Sequence, residues 1–388
     1  MKNENKEKKE KKGKPAKKPK GKKRGFFGRL VVFLLEVLAF VGLIAMAMCV
    51  LCSYVNPTKF VWLSFFGLGF WVVFLYNVVV FALLLLMWSR KVWISVIALI
   101  FAIPGVYKSF SFGKAESGGE LRVMTYNVMN FRDQNDVNKS SLEVAAEMAK
   151  MVKENDPDVL CLQEFSLFMP KTSRDACIAG FGEMTGLPYQ YYHKKANFCS
   201  NVIFSKYPLS ALDEESSFAK ENEYGAVAKV DARNKGVFYV LCVHLTSFQL
   251  TNHEINVLTE TNNSKEQVQE YGKSIVVKLK NAYEKRSEEV SKMLEDIPHD
   301  GRPIIICGDF NDTPLSYTYH RIKKAGFVDG FVESGRGIGY TYAGKLPMLR
   351  IDYVWGNERI QPKSFKRIKH KGSDHYPVML DFNVKNGL

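Results

Sequence analysis

Cysteine is scarce, seven in 388 residues, and the seven form neither paired zinc-ligand spacing nor a dense disulfide framework. Cys161, Cys242 and Cys307 lie inside strand-like apolar runs, and Cys49 and Cys52 lie in a longer apolar stretch. A free thiol packs as a small apolar group, so the first three are expected in a core. The spacing leaves both a Cys177–Cys199 pairing and the redox compartment open. Charge of one sign is also missing from most of the chain. The formal net charge of +14 sits at one end: residues 1–29 hold 14 Lys/Arg against three Glu, whereas residues 120–388 hold 35 of each sign. A neutral domain lacks the broad basic surface that gives general nucleic-acid binding its affinity, although a local basic groove is compatible with it.

Residues 1–24 have almost no apolar side chains and cannot bury a core, so residues 1–29 read as a basic, disordered tail. Residues 30–107 show the reverse deficit, having hardly any charge. Leu30 to Tyr54 is interrupted only by Glu36, Phe60 to Trp88 is longer, and Val92 to Tyr107 carries Pro104 near its end. Each approaches or exceeds the length that crosses a hydrocarbon core, so three transmembrane helices are expected, at about 30–54, 60–88 and 92–107. Trp62, Trp71, Tyr76 and Trp88 would anchor at the interface. A signal peptide cleaved at Ala45-Met46-Ala47 fits less well, because the apolar length is too great and two more stretches follow. The positive-inside rule keeps the tail and Arg90-Lys91 in the cytoplasm. An odd number of crossings of the plasma (inner) membrane then leaves the remainder outside; a re-entrant third stretch would leave it inside.

Residues 108–120 read as a linker, and 121–388 as one domain of strands and amphipathic helices. Strands are expected at 121–128, 158–164, 201–204, 226–230, 237–245, 303–307, 350–355 and 377–382. Helices are expected at 141–154, with Leu142, Ala145, Met148 and Val152 on one face, and at 281–296.

Polar residues gather where these strands end. Asn127 follows the first, Glu164 the second, and His244 interrupts a fourfold apolar run. Asp309 and Asn311 follow Ile304-Ile305-Ile306-Cys307, Asp352 lies in Arg350-Ile-Asp-Tyr-Val, and Asp374-His375 precedes the last strand. A carboxylate or imidazole at the end of a buried strand costs desolvation unless a metal or hydrogen bond compensates it. Singly, each has a bland explanation, and residues 309–312 alone are an Asx-rich turn ending at Pro314. Together they point to one convergent site.

A hard cation such as Mg²⁺ takes one or two carboxylates and keeps several waters. Glu164 is the first choice as ligand, with Asp309 or Asp374 near the same ion. In extended geometry Asp309 and Asn311 would point the same way, one orienting a water and the other donating to a phosphoryl oxygen. His375, steadied by Asp352 or Asp374, would take the water's proton or act as a cation. His244 and Asn127 would supply further donors to the developing charge.

The ordered segments Thr-Tyr-Asn-Val (125–128), Leu-Gln-Glu (162–164), Val-Ile-Phe-Ser-Lys-Tyr-Pro (202–208), Val-His-Leu (243–245), Gly-Asp-Phe-Asn-Asp (308–312), Arg-Ile-Asp-Tyr-Val (350–354) and Ser-Asp-His-Tyr-Pro-Val (373–378) resemble the endonuclease/exonuclease/phosphatase superfamily. The resemblance implies a DNase I-like four-layer α/β sandwich, here preceded by a transmembrane helical region. It also implies a Mg²⁺ or Mn²⁺ requirement and in-line attack of water on a phosphodiester or phosphomonoester. Glu164 would be a metal ligand, Asn127, Asp309 and Asn311 would surround the phosphate, and Asp352–His375 would be the acid/base unit. His244 would occupy the second histidine position.

The anchor and the neutral domain favour a lipid head group or another small phosphoester. An envelope nuclease acting on DNA or RNA is the alternative, and a non-catalytic membrane scaffold is a third. Lys363, Lys366, Arg367, Lys369 and Lys371 lie close in sequence to His375 and either steer an anionic substrate or form a solvated edge. The polar stretch 246–280 is expected to cap the site.

Overall fold

The computed structural model describes residues 25–113, 118–134, 136–169, 172–192, 201–212, 225–260, 263–345 and 348–385. Most of the basic tail, and Cys199, lie outside them; Cys177 is buried as a free thiol.

The N-terminal part consists of α1 (Phe26–Leu51), α2 (Pro57–Phe60), α3 (Ser64–Leu68), α4 (Phe70–Leu86) and α5 (Trp93–Ser109). Two helical segments, Phe26–Leu51 and Arg90–Ser109, are long and apolar enough to cross a membrane. The second expected span is not one straight helix: Pro57–Leu68 and Phe70–Leu86 meet at a bend of 54°, with Gly69 at the break. At one end of the bundle the lone acid of α1 is compensated. Glu36 accepts from Ser89 Oγ at 2.8 Å and pairs with Lys91 at 2.9 Å. At the other end the helices meet the rest of the chain. Cys52 Sγ donates to Leu315 O, Lys108 Nζ donates to Pro314 O, and a Cβ on Gly67 would run into Leu315 O.

The segment read as a linker is partly structured. Lys108 and Ser109 complete α5, and β1 (Phe110–Phe112) pairs antiparallel with residues 336–338. From there the chain forms β2 (Leu121–Asn127), α6 (Ser141–Asn155), β3 (Val159–Gln163), α7 (Arg174–Thr185), β4 (Tyr189–Tyr191), β5 (Val202–Ser205), β6 (Leu209–Ser210), β7 (Gly225–Asp231) and β8 (Val237–His244). The second half contributes α8 (Asn252–Thr259), α9 (Lys265–Asp296), β9 (Ile304–Asp309), α10 (Tyr317–Lys324), β10 (Val328–Asp329), α11 (Gly330–Ser334), β11 (Arg336–Ile338), β12 (Asp352–Gly356), β13 (Ile360–Arg367) and β14 (Val378–Val384).

Two mixed six-stranded sheets result, ordered β13-β14-β2-β3-β5-β4 and β10-β12-β9-β8-β7-β6. Their inner faces share one core, in which Val123, Cys161 and Leu380 meet Val240, Cys307 and Val354. The outer face of the first sheet packs on α6 and α7 through Tyr126, Leu162, Met148 and Phe181. The outer face of the second packs on α9 and α10 through Leu241, Ile306, Val290 and Ile322. The order helix, sheet, sheet, helix is the expected four-layer sandwich. Helix α6 starts at a capping box between Ser140 and Glu143, a reciprocal pairing that satisfies two otherwise unpaired backbone donors. Leu142 departs from expectation: it faces out, and Val144 and Ala149 join the buried face instead.

Arg350 ties the N-terminal helical bundle to the sandwich. Its guanidinium is 2% exposed, and Nη2 donates at 2.7 Å to both Asp329 Oδ2 and the Lys108 carbonyl at the end of α5. Removing one member of a buried pair leaves the other charge uncompensated. Arg350→Met is therefore expected to cost about 3 to 5 kcal/mol, seen as a lowered thermal unfolding midpoint of the full chain in detergent; an unchanged midpoint refutes this.

Candidate active site

Strand alternation carries the core into the site. Successive side chains point to opposite faces, and the inner-face series 121, 123, 125 ends on Asn127, 238, 240, 242 on His244, and 305, 307 on Asp309. Asp352 lies directly opposite Asp309 in the antiparallel β9–β12 register, and His244 opposite Asp309 in the parallel β8–β9 register. The apolar interior becomes polar one layer below, where Gln163 Nε2 donates to Thr125 Oγ1 and Cys242 Sγ. The site thus occupies one end of the sandwich, between the sheets.

Asn127 Nδ2 donates at 3.0 Å to Glu164 Oε1 and at 3.0 Å to Asp309 Oδ2. Glu164 follows β3 with φ 53°, so its carboxylate leaves the alternation and stays partly exposed. Its second oxygen accepts from Asn130 Nδ2 at 3.0 Å. Asn130 was not foreseen: it has φ 55°, and nothing in Val-Met-Asn-Phe distinguishes it from any turn asparagine.

The expected extended geometry for Asp309 and Asn311 is corrected. Asn311 has φ 51°, its N–H donates to Asp309 Oδ1 at 2.8 Å, and its amide nitrogen donates to Leu245 O and Asp309 Oδ2. An Asx turn, not strand alternation, brings the two together.

His375 is 4% exposed, and Nδ1 meets both oxygens of Asp352, at 2.9 and 3.1 Å. Its Nε2 lies 3.6 Å from Asp309 Oδ2. Burial alone would lower its pKa, but the Asp352 and Asp309 carboxylates override that and hold it well above the usual histidine range. The backbone of Asp352 is fixed by Thr341 Oγ1, which accepts from the N–H groups of residues 351 and 352; Tyr342 packs its ring edge-on to His375. Neither Thr341 nor Tyr342 was foreseen.

His244 Nε2 is buried without a hydrogen-bond partner among the described residues, 3.7 Å from Glu164 Oε1 and 3.8 Å from Asp309 Oδ2. Desolvation raises the pKa of Asp309, against the pull of His375, and does the same for Asp374. Crowded carboxylates and an orphaned imidazole nitrogen fit a cation and a phosphoryl group. The ligand atoms of Asp309, Asp352 and His375 all lie within 4.8 Å of one another. The last two already bond to each other, and the oxygens of Glu164 and Asp309 in turn accept from Asn127, Asn130 and Asn311.

Glu164, Asp309, Asn311, Tyr342, Asp374 and His375 line a cleft of about 900 Å³, with Arg132, Lys139, Lys345 and the 247–250 loop also in its lining. Its cations come from there and not from residues 363–371. Of that cluster, Lys363, Lys366 and Arg367 lie on the edge strand β13, with Arg367 stacked on Tyr340. The polar stretch 246–280 is α8 and the first half of a helix longer than expected. It forms a wall of the cleft, with Glu254 buried at the N-terminus of α8 under Ser274 and Lys278. Helix α9 also buries Arg286 completely, against Asp312 and the Thr246 carbonyl.

A model of the endonuclease/exonuclease/phosphatase family matches residues 124–375, and a model of a domain of unknown function matches residues 29–109. No curated protein sequence matches the chain. Similar solved structures include an endonuclease/exonuclease/phosphatase from Beutenbergia cavernae (18% identity, 68% of this chain and 71% of that one, TM-score 0.46). Others are a 3'-5' exonuclease from Neisseria meningitidis (16%, 68% and 100%, 0.45) and the catalytic domain of human Nocturnin with bound sulfate (15%, 68% and 94%, 0.44). The chain belongs to the endonuclease/exonuclease/phosphatase family, divalent-metal-dependent hydrolases of phosphoester bonds.

Proposed function

We propose that this protein is a membrane-anchored, Mg²⁺-dependent phosphoesterase acting on a lipid head group or another small phosphoester, with Mn²⁺ as a substitute ion. One observation carries the reading: Glu164, Asp309 and His375, from three separate strand ends, line a single cleft, and directly behind them the buried His244 Nε2 has no hydrogen-bond partner among the described residues. Glu164, with Asp374 and Asp309, would hold the ion, which supplies charge neutralisation at the phosphoryl oxygens. Asp309 orients the attacking water and accepts its proton. His375, kept protonated by Asp352, donates to the phosphoryl group as charge develops. The ring of His244 would donate to the same oxygens, with the amides of Asn127 and Asn311 holding Asp309 beside them.

The three-span arrangement keeps the tail and Arg90-Lys91 in the cytoplasm and the catalytic domain outside. Reporter fusions at Lys108 test this: cytoplasmic-type activity there refutes it. For the chemistry, the full chain in detergent should hydrolyse bis-p-nitrophenyl phosphate, fall to background with EDTA, and recover with added Mg²⁺. Failure of every phosphoester in a panel to turn over with Mg²⁺ or Mn²⁺ refutes the function.

A further inference from the structure

One wall of the catalytic cleft is built partly by the membrane region. Leu68, the last residue of α3 before the bend, lines the cleft together with Phe248, Leu250 and Tyr283. The same four side chains belong to one apolar cluster that also includes Val61 and Phe65 of the membrane region. Leu68, Phe248 and Leu250 are only half-buried, so an aqueous substrate would leave apolar surface wet beside the phosphoester site.

A second cavity adjoins the cleft on the side of the N-terminal helices. It is narrow, about 20 Å³, shares Leu68, Thr313 and Leu349 with the cleft and is lined beyond them by Phe70 and Trp71, the first residues of α4. The cleft's cationic side chains, Arg132, Lys139 and Lys345, accompany this apolar wall. Apolar and polar linings thus meet around one catalytic centre, with the apolar side running into the segment that enters the bilayer.

We infer that the substrate is a membrane amphiphile, its phosphoester at Glu164, Asp309 and Asn311 and its hydrocarbon portion on the wall formed by Leu68, Phe248, Leu250 and Tyr283. The membrane region is then part of the substrate site as well as a tether. This rests on the phosphoesterase reading and names its substrate class. The small cavity has room for about one methylene, so the hydrocarbon lies along the open wall and only its first carbons approach the seam.

The test uses the full chain in mixed micelles with Mg²⁺ and two 4-nitrophenyl phosphodiesters that differ only in the second ester, methyl or hexadecyl. The wild type is expected to prefer the hexadecyl ester in kcat/KM by more than roughly tenfold, because chain methylenes leave water for the wall. Leu68→Ser, and independently Leu250→Ser on the domain's own loop, should shrink that ratio several-fold, whereas Leu68→Met should preserve it. A ratio near one in the wild type overturns the inference whatever the variants do. So does a ratio that both serine variants leave unchanged, or faster cleavage of a single-stranded oligonucleotide than of the hexadecyl ester. If neither ester turns over, and EDTA and Mg²⁺ make no difference, the phosphoesterase reading itself fails. Turnover of the methyl ester without chain preference leaves that reading standing and removes only this one.

Discussion

Substituting His375 with glutamine is expected to lower kcat by roughly two to four orders of magnitude, the range for loss of a positioned acid or base. Glutamine retains a polar group of similar reach but cannot hold a proton as a cation, and the Asp352 carboxylate would lose its imidazolium partner. Asp352→Asn removes the carboxylate that holds Nδ1 at 2.9 Å and should cost less, since Tyr342 still packs on the ring and Ser373 Oγ still accepts from the His375 backbone N–H. The two residues act as a unit, so the double variant should be scarcely slower than His375→Gln alone. Turnover of bis-p-nitrophenyl phosphate at saturating Mg²⁺ measures all three. A decrease of less than about tenfold for His375→Gln would move the protonic role elsewhere.

Much of this site was legible in the sequence because strand alternation is a local rule. Once Val240, Cys242, Ile305 and Cys307 are assigned inward, His244 and Asp309 must point into the same space between the sheets. Glu164 was legible by type but not by direction, since its carboxylate is aimed by a positive φ that follows the strand. The Asp309–Asn311 relation was misread for the same reason: a left-handed residue breaks the alternation just where the chemistry begins. Side chains that support the site from distant segments left no local trace. Thr341 reaches the backbone N–H of Asp352 from another segment, and Arg286 sits on a charged amphipathic helix in which nothing marks its guanidinium as fully buried against Asp312. The placement of Leu68 beside the catalytic cleft was equally invisible. Its stretch shows the hydropathy of a membrane span, and only the bend at Gly69 turns the preceding segment onto α9 and the 247–250 loop.

Gly308→Ala is expected to be the most damaging single-atom addition in the domain. Gly308 is inside β9 with φ 146°, a conformation that L side chains rarely adopt, and a Cβ there would run into the Val243 carbonyl and nearby backbone atoms of β8. The obstruction is backbone in a parallel ladder, Val243 opposite Gly308, with His244 opposite Asp309 as the next pair. Backbone cannot rotate aside as a flexible side chain does, so relief requires the end of β9 to separate from β8. That movement would carry Asp309 away from His244 and Asn127 at once. The expected loss is about 4 kcal/mol or more, the range reached when core packing and backbone strain combine, with turnover falling to background. Gly326→Ala provides the contrast: Gly326 has φ 94° but nothing within 4 Å of its added Cβ. It should cost only about 1 to 2 kcal/mol of backbone strain and leave kcat intact. Thermal unfolding and turnover of the two variants separate the contributions, because only Gly308 combines an unfavourable φ with a blocked ladder. Equal behaviour of the two would mean that β8 and β9 yield without disturbing the site, and the strand ends could not then be what holds Asp309 in place.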